Sequence, residues 1–379
     1  MIYLDHAATT PVAEDVLEKM LPYFRTHFAN PSSQIYPSGR TAKRAIDQSL
    51  QKIANEIGVN ESELYFTSGA TQSCNWALKG VWQNYSSKRK KIMLSEIEHS
   101  AVLESAKALE REFGAELIWI PTLKSGVIDL GFVKEYLDEE VLLLSVMAVN
   151  NITGIKQPIK DLGLLSKAHD VFFFCDATQA MSSTRFQPQD YHIDLMAFSA
   201  HKFYGPKGIG LLYAKRRDPR VNLPIWESGG GMELWKKGGT LNVPGIVGMA
   251  HALVWVHQQD WTRVQALRDK LESYFIDMGG KILGDNEERG VNFSNISIPG
   301  VTGARLLQRL QENISFSLSS ACSSQEVGPS HVLKAMKLSK DILDGSFRLS
   351  WGLDNTEEDL MNIMKYFTKE LKEIKNNKS

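Results

Sequence analysis

Apolar residues recur along the chain in two alternating rhythms. Ala13, Val16, Leu17, Met20, Leu21 and Phe24 repeat every three or four positions. That spacing predicts an amphipathic first helix, with Thr10 as its N-cap and Pro11 at its first position. Beyond it come short apolar runs at 64–66, 91–94, 117–120, 141–149, 171–174, 195–198 and 210–213, separated by helical patterns. Such alternation predicts an α/β fold, a largely parallel sheet sandwiched by helices. After residue 250 the rhythm changes: a long helical stretch from Ile246 through Phe275, a strand over Asn292 to Ile298 and a last helix from about Glu357 predict a second, smaller α+β unit. The lysine-rich end, Lys369 to Ser379, reads as a solvated helix fading into a tail.

The length, 379 residues, suggests two to three domains at the usual size of about 150 residues each. Apolar residues make up 43% and charged ones 23%, which excludes a disordered or fibrous chain. With 43 basic against 44 acidic residues the formal charge is −1, so there is no global field for nucleic acid and a small neutral or zwitterionic substrate fits better. The longest apolar run falls short of the roughly 20 residues that span a bilayer, and the start carries no basic leader. A soluble, cytoplasmic protein is expected. Cys74, Cys175 and Cys322 are too few for a disulfide framework, and neither they nor the nine histidines show metal-ligand spacing, so no protein-bound metal is expected.

In an open α/β sheet, ligands bind beyond the carboxyl ends of the strands, and several endings here carry chemistry. Thr67-Ser68-Gly69-Ala70-Thr71 leads from a strand through small residues into a helix, offering backbone N–H groups and hydroxyls to a phosphate. An ordinary capped turn looks the same. Neither nucleotide-binding glycine pattern occurs, and Gly205 to Gly210 has the wrong spacing. A buried strand runs straight into Asp176, which needs a cationic partner or hydrogen bonds, or else serves as a helix cap. The next strand delivers Ser199, His201 and Lys202. A phosphate seat, a buried carboxylate and a lysine together suit one cofactor that combines phosphate, pyridinium and aldehyde: pyridoxal 5'-phosphate, PLP.

At this point the sequence resembles a family. Tyr3-Leu4-Asp5-His6-Ala7-Ala8-Thr9-Thr10-Pro11, Thr67 to Thr71, Glu98-His99, Val149-Asn150-Asn151, Asp176-Ala177-Thr178-Gln179, Ser199-Ala200-His201-Lys202 and Gly205-Pro206-Lys207-Gly208 resemble, in order, the cysteine desulfurases, the NifS/IscS-like class V PLP enzymes. The resemblance implies a fold-type I PLP-dependent transferase. Its large domain, 14–250, would hold a mainly parallel seven-stranded sheet; 1–13 and 251–379 would form the smaller α+β domain with the catalytic cysteine loop.

The resemblance also implies roles. Lys202 would bind the cofactor aldehyde, Asp176 the pyridine nitrogen, His99 would stack on the ring, and Asn150 and Gln179 would lie near its phenolic oxygen. Ala70, Thr71, Ser199 and His201 would hold the phosphate, joined by Thr240 of the other subunit of a homodimer. Arg348, in Phe347-Arg348-Leu349-Ser350-Trp351-Gly352, would grip the substrate carboxylate, with Asn30 and Asn150 beside it. Cys322 lies in Leu318-Ser319-Ser320-Ala321-Cys322-Ser323-Ser324, a small polar stretch where a thiol would be exposed, whereas Cys74 and Cys175 read as structural. Cys322 would be the catalytic nucleophile: activated by passing a proton to His99, it would take sulfur from L-cysteine, release L-alanine and hand the persulfide to an acceptor protein, a scaffold or carrier for iron–sulfur clusters or thiolation. Lys202 would be the base.

Departures from the family pattern are local. Gly229-Gly230-Gly231 is followed by Met232-Glu233-Leu234-Trp235-Lys236-Lys237-Gly238-Gly239-Thr240 without the family's two arginines, and Asn30-Pro31-Ser32-Ser33 lacks the usual following histidine. They suggest a divergent member with its own acceptor. Two rivals remain: another class V enzyme, such as a selenocysteine lyase, and a catalytically silent PLP-binding scaffold. The joint presence of Lys202, His99 and Cys322 counts against the second.

Overall fold

The structure is a computed structural model and describes residues 1–218, 220–230, 237–319 and 330–376. The chain opens with β1 (Ile2–Tyr3), α1 (Glu14–Arg25) and α2 (Pro37–Ile57). The large sheet follows as β2 (Leu64–Thr67), α3 (Ala70–Tyr85), β3 (Lys91–Ser95), α4 (Ser100–Phe113), β4 (Glu116–Ile120), α5 (Leu130–Tyr136), β5 (Val141–Ser145), α6 (Ile159–Ala168), β6 (Phe172–Asp176), β7 (Leu195–Ser199) and β8 (Gly210–Ala214). Next come α7 (Val243–His257), α8 (Thr262–Asp277), β9 (Lys281–Ile282), β10 (Phe293–Ser297), α9 (Gly303–Leu310), β11 (Ile314–Ser315) and β12 (Ser317–Leu318). The chain finishes with α10 (His331–Ala335), α11 (Lys340–Gly345), β13 (Ser346–Ser350) and α12 (Glu357–Asn376).

The seven-stranded sheet has the order β2-β8-β7-β6-β5-β3-β4. Only β8 runs against the rest, pairing antiparallel with both β2 and β7. Strands such as β5 (VLLLS) and β7 (LMAFS) are buried throughout, as a sheet covered on both faces requires. Two apolar clusters pack on its faces. A third gathers Leu4, α8, β10, β13 and α12 around a four-stranded sheet of order β12-β13-β10-β9.

The first ten residues tie these cores together. β1 pairs in parallel with β11, Asp5 bridges to Ser350, and the Ala7 amide donates to Ser350 Oγ at 2.9 Å. Thr10 then bonds across to the turn after β7: its Oγ1 donates to the His201 carbonyl and accepts from the Tyr204 amide at 2.7 Å.

That engagement corrects the expected start of α1. The helix begins at Glu14 with Ala13 as its N-cap, because the Thr10 hydroxyl is committed elsewhere. Its buried stripe is also narrower than the periodicity predicts: Val16 and Met20 are buried, whereas Leu17, Leu21 and Phe24 are exposed. The helical stretch from Ile246 to Phe275 is in fact two helices. Asp260 Oδ1 accepts from both the amide and the hydroxyl of Thr262, a local bond that breaks α7 from α8 without proline or glycine.

Candidate active site

The parallel strands point their carboxyl ends to one edge, and the turns after β2, β3, β5, β6 and β7 line one cavity of about 560 Å3. Thr71, His99, Asp176, Gln179, Ser199 and Lys202 all face it. The reversed strand β8 holds two of these turns together, since Gly210 pairs with Thr67 on one side and Ser199 on the other. A Cβ on Gly210 would lie 2.5 Å from the Gly69 Cα, so only glycine lets the turn before α3 approach this closely.

Lys202 Nζ donates to the Ala7 and Ala8 carbonyls, both at 2.7 Å. Gln179 Nε2 donates to the same Ala7 carbonyl at 2.9 Å. Burial, reinforced by the field of Arg348, pushes the lysine down to about 8, against the pull of Asp176 and Asp5. A lysine so lowered is a stronger candidate base near neutral pH than a solvated one. Asp176 is buried, and its Oδ1 accepts from the Thr178 amide at 2.9 Å. His201 bonds Thr9 Oγ1 through Nδ1 at 3.1 Å, and burial beside Lys202 and Lys207 pushes it down to about 4, so it is neutral at pH 7.

His99 caps α4. Its Nδ1 accepts from the Ala101 amide at 3.1 Å, and desolvation lowers its pKa. The preceding Glu98 is fully buried: Oε1 accepts from Ser95 Oγ at 2.6 Å and the Met147 amide at 2.8 Å, and burial raises its pKa to about 8. Cys74 and Cys175 are buried, and desolvation with the field of Asp176 holds both thiols well above their ordinary range. Cys175 lies away from the cavity, whereas Cys74, though buried, is part of its lining.

Asn150 does not face the cavity as the resemblance implies. Its Oδ1 accepts from the Ile152 amide and from both the amide and hydroxyl of Thr153, while Nδ2 donates to the Ile97 carbonyl and Met147 Sδ. Asn151 lines the cavity instead. The correction was within reach of the sequence: Asn150 precedes a turn with Thr153 and Gly154, the place for a self-bonding Asx residue.

Arg348 stands behind that wall. Nη1 donates to the Asn151 carbonyl and Nη2 to Asp5 Oδ1, both at 2.5 Å; Nη2 also reaches Ser317 Oγ at 3.1 Å. Its Nε is buried with no hydrogen-bond partner among the described residues. Asp5 was not singled out by sequence reasoning as a site residue, although it belongs to the opening motif. Asn30 is exposed, bonds the Ser32 amide through Oδ1 and does not line the cavity; nor does Thr240, which is exposed. Cys322, with its neighbours, and Met232 to Lys236 lie outside the described residues.

The residues present fit PLP. A buried carboxylate, a lysine, and a phosphate seat of the α3 N-terminus with Thr71, Ser199 and His201 surround one cavity. Thr178 Oγ1 is buried in the same wall without a hydrogen-bond partner among the described residues, a polar atom awaiting one.

The aminotransferase class-V family pattern matches residues 2–363. The chain is 38% identical to "Cysteine desulfurase IscS" of Anaeromyxobacter sp. (strain Fw109-5), over 99% of this chain and 93% of that protein. Among solved structures, a "NIFS-LIKE PROTEIN" is 34% identical with a TM-score of 0.91, covering 98% of this chain and 99% of that one. "SspA in complex with cysteine" is 32% identical with a TM-score of 0.83, covering 92% and 98%.

Proposed function

The chain belongs to the aminotransferase class-V family, and from that membership and the cavity we propose how it acts: it is a PLP-dependent cysteine desulfurase that converts L-cysteine to L-alanine and takes the sulfur onto its own Cys322. The atoms balance, since one thiol and L-cysteine give one persulfide and L-alanine. The observation that carries the reading is Lys202 and Asp176 in one cavity with the α3 phosphate seat.

Bound PLP supplies the electron sink for bond breaking beside the amino-acid α-carbon. Every other task falls to the chain. Thr71, Ser199 and neutral His201 would hold the cofactor phosphate, and Asp176 would favour the protonated ring nitrogen. Lys202, released from the Ala7 and Ala8 carbonyls, moves the proton at the substrate α-carbon. Arg348, held behind the wall by Asp5, receives the substrate carboxylate by exchanging its bond to the Asn151 carbonyl for it.

The Cys322 assignment draws support from the residues on either side. Ser317 shares Asp5 with Arg348, and His331 Nε2 meets the Glu98 carbonyl at 2.9 Å, beside His99. Cys322 is three residues from Ser319, a span of at most about 10 Å.

The enzyme works as a homodimer in which Thr240 of each subunit completes the other's phosphate seat. The exposed face of Leu17, Leu21, Phe24, Phe28, Ile35 and Tyr36 supports a second copy as its cover, and an exposed Thr240 is free to serve it. The enzyme works in the cytoplasm, and an acceptor protein, a scaffold or carrier in iron–sulfur or thiolation chemistry, takes the sulfur. Residues 14–250 form the catalytic domain, and 1–13 with 251–379 the smaller one; the separate cluster of Leu4 with Val264 to Ile374 supports the division, while Ala13, Ala252, Leu253, Val256, Val332 and Ala335 pack with the large core across it.

The test is direct: purified protein supplied with PLP and L-cysteine should release alanine and carry one extra sulfur on Cys322 by peptide mass spectrometry. No alanine, or sulfur on Cys74 or Cys175 instead, would reject it.

A further inference from the structure

His99 is the residue whose chemistry the geometry redirects. A backbone amide can only donate, so the 3.1 Å contact from the Ala101 N–H fixes Nδ1 as a lone-pair acceptor. In the neutral imidazole the proton must then reside on Nε2. The cap is part of the fold: His99 is extended (φ −64°, ψ 149°), α4 runs fourteen residues behind it, and the positive end of that helix lies against the ring. Glu98 fastens the same turn through Ser95 and Met147, so the ring cannot turn over without losing its cap.

From this geometry we propose that His99 stays neutral and acts as a fixed hydrogen-bond donor from Nε2, not as a proton acceptor, and that proton transfers in the cavity run through Lys202. The inference rests on the cysteine desulfurase reading and sharpens it. It also removes the expected transfer of the Cys322 proton to His99, since accepting a proton at Nδ1 would break the cap and place a cation against a helix N-terminus. No proton leaves His99 in this role. It offers a polarised N–H to negative charge that builds up on the reacting atoms. The charged groups around it are consistent: Asp176 at the end of β6 favours a proton, Lys202 after β7 opposes it, Glu98 in its own turn is held neutral by burial, and His331 on α10 spends its Nε2 on the Glu98 carbonyl. Desolvation outweighs Asp176 and lowers the ring's affinity for a proton.

Nitrogen-15 imidazole NMR of the full chain, labelled at histidine and loaded with PLP, reads the tautomer directly, with the signal assigned by its loss in His99→Gln. The expected spectrum shows protonated Nε2 and bare Nδ1, unchanged between about pH 6 and about pH 9. A proton on Nδ1, or titration within that range, would overturn the proposal. A chain that takes up no PLP would instead overturn the family reading, while the tautomer of the cofactor-free chain still tests this one. Turnover gives a second arm: glutamine places a non-basic N–H near Nε2, whereas asparagine keeps the cap and loses the donor. His99→Gln should therefore exceed His99→Asn by at least about tenfold in kcat, and equal loss in both would mark His99 as a base.

Discussion

Arg348 and Asp5, 343 positions apart in sequence, meet in a partly buried ion pair whose arginine is the buried member, with Nη2 donating to Oδ1 at 2.5 Å. The other carboxylate oxygen accepts from Ser317 Oγ at 2.8 Å, so one aspartate organises both the arginine and the strand leading towards Cys322.

Removing the carboxylate leaves a buried cation with fewer partners, which costs about 3 kcal/mol or more. Asp5→Ala should lower the chemical denaturation midpoint and raise KM for L-cysteine together. If both stay unchanged, the pair neither braces the fold nor prepares Arg348.

Lys202 makes a clear statement about colour. The wild type should be yellow with PLP, and Lys202→Ala should lose both the yellow band and alanine formation while keeping its fold by circular dichroism. A variant that stays yellow and active would put the cofactor lysine elsewhere.

The same lysine predicts a pH effect on the cofactor-free chain. Its folded value, about 8, lies below the ordinary 10.5, so above pH 8 the unfolded chain holds the proton more tightly than the folded one. Stability should therefore rise as pH climbs from about 8 to 10.5, and the cost of the buried cation is fully present below 8. Denaturant midpoints across that window should slope upward in the wild type and less so in Lys202→Met. Parallel slopes would reject the assignment.

Cys322→Ser should keep the yellow colour yet lose turnover by more than about a hundredfold, because a hydroxyl is a poor sulfur nucleophile at neutral pH. Retained sulfide release would direct attention to another thiol.

The exposed apolar face of α1 should be covered in solution. Leu21→Asp with Phe24→Asp should shift light-scattering mass from two chains to one, and a wild type that is already monomeric would rule out the shared site.

Much of the fold was legible because strands buried on both faces announce themselves as short apolar runs. Lys91–Ser95, Glu116–Ile120 and Leu195–Ser199 each fall within one residue of the predicted runs. The break between α7 and α8 was not, since a single Asx bond at Asp260 leaves the helical period almost untouched. Within the site, residue types pointed to Lys202, Asp176 and the phosphate turn. The Ala7 and Ala8 carbonyls that hold Lys202 were invisible, because backbone oxygens have no residue signature. Periodicity alone could not tell Asn150, spent on its own turn, from Asn151, which faces the cavity; the turn residues Thr153 and Gly154 were the signal that separates them.

The Ser330 amide donates to the Ser319 carbonyl at 3.2 Å. That clasp ties the residue after β12 to the N-cap of α10. The chain therefore leaves and rejoins the described fold at a single point, beside the strand β13 that carries Arg348.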